Sequence, residues 1–467
     1  MKQLSKNIIS LTTADVASRL LGFVSVAYLA RTLGPSDMGV LAVGMAVLAY
    51  GAIFADAGLP ILGTRIVAAQ QIAHRTVSRE IRTARLFLSI ISVFLGCVIF
   101  FIFEKRSDIQ TVTCLYLMAL LPSALLLDWF FQGISDMLTL SKARVLGMAV
   151  YLAAVISFVR EGAHLMWVPT AWFTGTAAQA WYLWSSYKKI SPDDVKSSEP
   201  SGIFKLIRQG IPLGLATLIS QVVIQFPLIY LGLFDKTENA GFYNVAFRVI
   251  VLLLVVDRVF YTMFFPAISR SFREDRQRLP QKVEQTIKLI TAGVLYIAIL
   301  AILAGDTLFP LLFGQAFEQS SMIFQTLIVY FILTVLNSIF SFTLIGIERE
   351  KSYTRSLMIG AVGFFAFMSL PIPLPSTLLA PLALALFQAL SMIVMSRELQ
   401  DTLAISSFGR ILLTIVITVA LTAVFSAWAN SSPLIATVGA VIISPFILAW
   451  SAGVNQEDIK FLRKVII

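Results

Sequence analysis

The sequence predicts an all-α polytopic membrane protein of about fourteen transmembrane helices. Three observations carry this reading: the composition, the length of the apolar segments, and the placement of lysine and arginine between them. Apolar residues make up 58% of the 467-residue chain and charged residues 13%, against roughly 45–50% and 25% in soluble domains. A hydrocarbon core about 30 Å thick takes about 20 helical residues, and most of the apolar segments reach that length. They centre on residues 8–30, 39–62, 86–103, 111–131, 145–159, 165–187, 211–233, 241–265, 289–305, 322–346, 356–374, 376–396, 411–428 and 433–451. With the N-terminus inside, the cytoplasmic segments hold 28 of the 36 Lys and Arg. The outer loops hold only Arg31, Lys105, Arg106, Arg160 and Lys236. Such a bias sets the orientation and places both termini in the cytoplasm.

Each segment has its own signals. Lys2 and Lys6 precede the first as they would a signal peptide, but the run is long and has no small-residue cleavage site before Arg31, so it reads as a retained helix. The second enters through Pro35 and Gly39 and carries Asp56 at its inner end. A cationic loop leads to the third, and the fourth closes on Asp128. A short turn with Arg160 separates the fifth from the sixth. The polar stretch 188–202, KKISPDDVKSSEPSG, has the composition of a linker. Pro227 in the seventh segment removes a backbone hydrogen bond and predicts a kink. The eighth holds Arg248, Asp257 and Arg258, and the remaining six contain no other basic residue at depth.

A weak internal repeat orders these segments. A shift of 202 residues lays residues 33–46 on 235–248, the stretch ending at Arg248, with Gly39 over Gly241 and Val43 over Val245. A shift of 213 lays FFQGISD (130–136) on TLIGIER (343–349), with Gly133 over Gly346. Helices 1–6 and 7–12 then form two related six-helix bundles, repeated in parallel about an axis along the membrane normal. The expected domains are 1–187, a cytoplasmic linker 188–202, a second bundle 203–397, and two additional helices with a tail at 398–467. Paired bundles of this kind are the architecture of alternating-access transporters.

Other function classes find little support. The net charge of +10 resides mostly in loops facing the cytoplasmic leaflet, so nucleic acid is not an expected partner. Cys97 and Cys114 lack metal or disulfide spacing, His74 and His164 stand alone, and there is no phosphate-binding loop. No metal, cofactor or catalytic residue is expected. The short outer loops disfavour a membrane polysaccharide polymerase or ligase, which would need an exposed acid/base constellation.

Charges at depth mark the candidate site, because an ionisable side chain at mid-bilayer costs about 2.5–3.5 kcal/mol and persists where it faces a cavity or a partner. Asp15 and Arg19 lie at i,i+4 on one face of the first helix. Arg248 has no acidic partner on its own face of the eighth, since Asp257 projects almost opposite it. The 202-residue shift places Arg19 on Gln221 and Asp56 on Arg258. Arg19, Arg248 and Gln221 are therefore the candidate substrate-binding residues. Asp15, Asp56, Asp257 and Arg258 are candidates for ion coupling or gating, with Asp56 and Arg258 opposite in charge at equivalent depths.

With these residues placed, the chain resembles the polysaccharide repeat-unit flippases (Wzx type) of the multidrug/oligosaccharidyl-lipid/polysaccharide exporter superfamily. The carriers of the resemblance are ARTLGPSDMG (30–39), DAGLPILGTR (56–65), DWFFQGISDM (128–137), AGFYNVAFRV (240–249) and FPAISRSF (265–272). The resemblance implies two six-helix bundles around a central cationic cavity. It also implies export of an undecaprenyl-diphosphate-linked oligosaccharide across the bacterial cytoplasmic (inner) membrane. The expected partners are that lipid-linked glycan, membrane lipids, and a polysaccharide polymerase with its chain-length machinery. Lipid II exporters of the superfamily share a first-helix SRxLGF stretch, matched by SRLLGF (18–23), but continue into an Arg-Asp pair where this chain has Ser25 and Val26. Lipid II transport is thus an alternative. Drug or metabolite export is another, although it would call for a more acidic cavity.

Overall fold

The computed structural model describes the backbone of residues 2–69, 74–161, 164–190, 202–274, 276–400, 408–431 and 433–466. Most of the linker expected at 188–202 lies outside the described residues. Among those described the chain is helical apart from short turns and connections, with no strand, and each predicted apolar segment falls mainly on helical backbone. Among the described residues eight helices are long and apolar enough to cross a membrane, and shorter apolar helices accompany them. Contacts divide the chain into two compact units, Met1–Val245 and Ala246–Ile467.

The first unit is built from α1 (Lys2–Asp56), α2 (Leu59–Ala68), α3 (His74–Phe103), α4 (Ser107–Met118), α5 (Leu120–Ala124), α6 (Asp128–Gly133), α7 (Met137–Phe158), α8 (Trp167–Ile190), α9 (Ile203–Phe234) and the first half of α10 (Thr237–Leu253). At 1.5 Å per residue an unbroken α1 would run about 80 Å, far beyond a bilayer. Gly34, at φ 78°, interrupts it ahead of Pro35, which makes two predicted segments of one helix assignment. The second segment stops at Asp56, where Ala57 and Gly58 take left-handed backbone and α2 turns away. Segment four is divided among α4, α5 and α6. α9 is helical throughout, Pro212 and Pro227 included. The exposed side chains of α3, such as Phe101 (77%) and Phe103 (80%), suit contact with lipid.

The repeat survives in backbone geometry where identities have faded. Gly39 lies so close to the start of α10 that a Cβ there would meet the Thr237 carbonyl oxygen at 1.8 Å. A Cβ at Gly241 would meet the Pro35 carbonyl oxygen at 2.0 Å. These contacts are related by the 202-residue shift in both members. Arg106 braces the same junction, donating to the Gly232 carbonyl (3.0 Å) and the Thr237 hydroxyl (2.9 Å), while Glu104 holds its guanidinium at 2.9 and 3.0 Å. The hydrogen bond from Arg106 keeps the Glu104 carboxyl below the usual carboxylate range.

The second unit contains the rest of α10, α11 (Val255–Glu274), α12 (Leu279–Phe313), α13 (Ser320–Gly346), α14 (Glu350–Ser369), α15 (Ser376–Gln400), α16 (Phe408–Ser431), α17 (Pro433–Ser451) and α18 (Gln456–Ile466). α13 packs on α11, α12 and α15, while α16 and α17 pair and dock on α12. The 213-residue echo appears here. Ser135 and Glu348, equivalent under that shift, adopt φ 60° and 64°. The Asp136 N–H bonds the Phe131 carbonyl as the Arg349 N–H bonds the Leu344 carbonyl, at 2.9 and 2.8 Å. Two unlike sequences thus end a helix with one hydrogen-bond pattern. The amphipathic α18 opens with a reciprocal cap between Asn455 and Asp458 (2.9 Å each way) and sets Phe461 against Phe264.

The junction at Gly39 yields a direct test. Gly39→Ala should destabilise the purified protein by about 1–3 kcal/mol, the usual range for overpacking. Gly293→Ala, whose Cβ would meet its nearest neighbour at 3.9 Å, should be neutral or stabilising by up to about 1 kcal/mol, because alanine favours helix. Thermal unfolding in one detergent compares them, and equal midpoints would show that the junction yields without strain.

Candidate functional site

The C-terminal end of α1, the start of α2 and one face of α9 enclose a cavity of about 370 Å³ within the first unit. Glycine makes this packing possible, since a Cβ at Gly58 (φ 73°) would meet the Gly210 carbonyl oxygen at 2.0 Å. Farther along the two helices, the Tyr50 hydroxyl donates to the Val222 carbonyl at 2.7 Å and fixes α1 against α9. The wall is mainly aliphatic, with Ala52, Ile53, Ile61 and Leu218. Its polar side chains are Asp56, Thr217 and Gln221. Two predicted site residues, Asp56 and Gln221, therefore meet in one cavity.

Asp56 is held from behind by Arg85 of α3, with Nη2 at 2.7 Å and Nε at 2.9 Å from Oδ1. Arg85 also donates to the carbonyls of Ser123 (3.0 Å), Leu126 (3.0 Å) and, at longer range, Ala124 (3.4 Å). These carbonyls lie where segment four breaks around Pro122, and in an apolar interior they need donors. Arg85 is 6% exposed, whereas the Asp56 side chain is 40% exposed toward the cavity. One guanidinium thus mends a broken helix and anchors the carboxylate of the cavity. Sequence reasoning counted Arg85 among the loop charges. It lies well inside α3, which begins at His74, and the available signal was an arginine at the edge of an apolar run facing an acidic residue with no local partner.

A second polar centre lies between α6, α7 and α8. Asp128 accepts from Arg144 Nη2 (3.2 Å) and Nε (3.3 Å) through one oxygen and from Gln179 Nε2 (3.2 Å) through the other. Neither Arg144 nor Gln179 was singled out from the sequence, because their convergence depends on helix rotation.

The other predicted residues are distributed as follows. Arg19 is half-buried on α1, and the side chain of Asp15 lies outside the described residues. In the second unit Arg248 is partly buried on α10, and Arg258 is exposed on α11. Asp257 accepts the hydroxyl of Ser338 on α13. Behind it, buried Asn337 donates to Gln388 at 2.6 Å.

The fold places the chain in a known class of membrane protein. It is similar to a lipid II flippase, MurJ, in an inward closed conformation, with a TM-score of 0.67, 13% identity, and coverage of 98% of this chain and 100% of that one. It is also similar to an inward-facing multidrug resistance MATE family transporter of the MOP superfamily, with a TM-score of 0.64, 15% identity, and coverage of 84% and 96%. The architecture is that of the MOP-superfamily transporters. Residues 4–272, more than half of the chain, match the polysaccharide biosynthesis protein family, and the chain belongs to that family. A Shigella flexneri protein named "Putative O-antigen transporter" is 23% identical over 329 residues, 65% of this chain and 75% of that one. The Wzx-like resemblance carried by the sequence motifs is borne out, and the proteins this chain is similar to are named as transporters or flippases.

Removing Arg85 should be costly. Arg85→Leu leaves the carbonyls of the broken segment without their donor and should destabilise by about 1–3 kcal/mol, the cost of orphaned buried acceptors, while the half-exposed Asp56 keeps access to water. Asp56→Asn keeps a polar neighbour for Arg85 and should lower the midpoint less. Thermal unfolding of the purified variants decides, and near-wild-type stability of Arg85→Leu would remove the joint-mending role.

Proposed function

We propose that this protein is a flippase that moves an undecaprenyl-diphosphate-linked oligosaccharide repeat unit from the cytoplasmic to the outer leaflet of the bacterial inner membrane by alternating access. The observation that carries the reading is the coincidence of family and architecture. A polysaccharide biosynthesis protein made of membrane helices is suited to the step of that synthesis that must cross the membrane. A diphosphate bearing a sugar chain cannot cross hydrocarbon unaided, because each polar group without a partner costs several kcal/mol. Arg19 and Arg248 can replace lost hydration with charge-assisted hydrogen bonds, and Gln221 offers an amide. Outward movement of about two negative charges across an inside-negative potential releases about 2.3 kcal/mol per charge per 100 mV. Potential alone is therefore a sufficient driving force. Asp15, Asp56, Asp257 and Arg258 are the groups through which ions would couple or a gate would close. In the cell, polysaccharide polymerase and chain-length machinery would take over the exported unit.

Export of lipid II is the second reading, supported by the fold shared with the lipid II flippase. Ser25 and Val26, where lipid II exporters carry an Arg-Asp pair, weigh against it.

At matched protein levels, Arg248→Ala and Arg19→Ala should each abolish surface-glycan export by cells that depend on this protein. Arg160→Ala should export normally. Arg248→Lys should restore only part of the activity, since an ammonium lacks the planar fork that grips phosphate oxygens. Full export by both alanine variants would reduce these arginines to structural charges.

A further inference from the structure

A second cavity, of about 160 Å³, lies inside the first unit between α1, α7 and α8. α7 and α8 cross here backbone to backbone, for a Cβ at Gly175 would meet the Gly147 carbonyl oxygen at 2.6 Å. Tyr151 and Trp172 form an aromatic wall, with ring centroids 5.2 Å apart and planes at 82°. The rest of the lining includes Ser18, Thr176, Gln179 and Arg144. Tyr151 sits about 10 Å from one end of α7, and Gln179 about 17 Å from one end of α8, by the helical rise. The cavity therefore lies at the depth of the bilayer interior, where polar lining persists when it serves a ligand or a partner.

We propose that this cavity is a carbohydrate subsite that holds one neutral sugar ring of the transported oligosaccharide, an inference that rests on the flippase reading above. The chemistry selects the ligand. An aromatic wall accepts the apolar C–H face of a pyranose, while the Gln179 amide, the Ser18 and Thr176 hydroxyls and the Arg144 guanidinium offer donors and acceptors to its hydroxyls. A phosphate is a poorer match, because the charge of Arg144 is already opposed by Asp128 at 3.2 Å. At the roughly 30 Å³ each water occupies, the volume holds about five waters, and a cavity of about 150 Å³ takes one benzene-sized six-membered ring. The diphosphate is assigned to other residues, Arg19 and Arg248, so sugar and phosphate recognition are separable.

The test uses the purified full-length protein in lipid nanodiscs and two probes. One is undecaprenyl diphosphate. The other is the same carrier bearing the repeat unit extracted from the cells that encode this protein. Wild type should bind the glycosylated carrier at least about tenfold more tightly. Trp172→Leu, Gln179→Ala and Thr176→Val should each bring that affinity close to the bare-carrier value while leaving bare-carrier binding unchanged, which also reports that the variant is folded. Trp172→Phe should retain part of the preference. Equal affinity of wild type for both probes, or variants that keep the preference, would overturn the subsite and leave the flippase reading standing. Equal loss of both affinities in the Gln179 and Thr176 variants would assign these residues to structure and overturn it as well. Failure of wild type to bind either probe would remove the flippase reading and the subsite with it.

Discussion

Hydrocarbon offers no hydrogen bonds, so every departure from continuous helix must be satisfied from within the protein. Arg85 shows what that demands. Its guanidinium meets the carbonyls at the break in segment four and a carboxylate that would otherwise stand alone. Asp56 then owes its place beside Gln221 to a break it does not touch. Tyrosines act similarly and at lower energy: Tyr28 donates to the Val159 carbonyl beyond the end of α7, and Tyr50 to Val222 on α9. Close glycine packing permits these bonds by letting backbones approach within reach of side chains on neighbouring helices.

The helical segments were legible because bilayer thickness dictates apolar length directly. The repeat was legible only faintly in identities, yet Ser135 and Glu348 share one backbone conformation despite unlike side chains. That conformation is fixed by how the helix ends rather than by residue type, so geometry outlasts sequence there. Arg85 was hidden for a different reason. An arginine near the edge of an apolar run counts as a loop charge in any topology argument, and only the fold of α3 carries it into the interior. The partners of Asp128 were hidden because they come from helices α7 and α8, whose rotations no single-sequence periodicity resolves.

The two cavities of the first unit differ in chemistry as well as position. One is aliphatic with a single anchored carboxylate, which suits a moving or coupling surface more than a tight binding site. The other is walled by aromatic rings and planar polar groups, which suit a sugar. Arginine, rather than acidic residues, dominates the basic-to-acidic balance of the candidate substrate-binding set, in keeping with an anionic cargo.

The most direct test of the central claim is translocation itself. The purified protein would be reconstituted into liposomes loaded with undecaprenyl-diphosphate-linked repeat units, with accessibility to an added glycosidase reporting the glycan on the outer leaflet. The account predicts protein-dependent exposure that quickens when an inside-negative potential is imposed. Absence of exposure above protein-free liposomes, in a preparation that still expels a cationic drug, would contradict it.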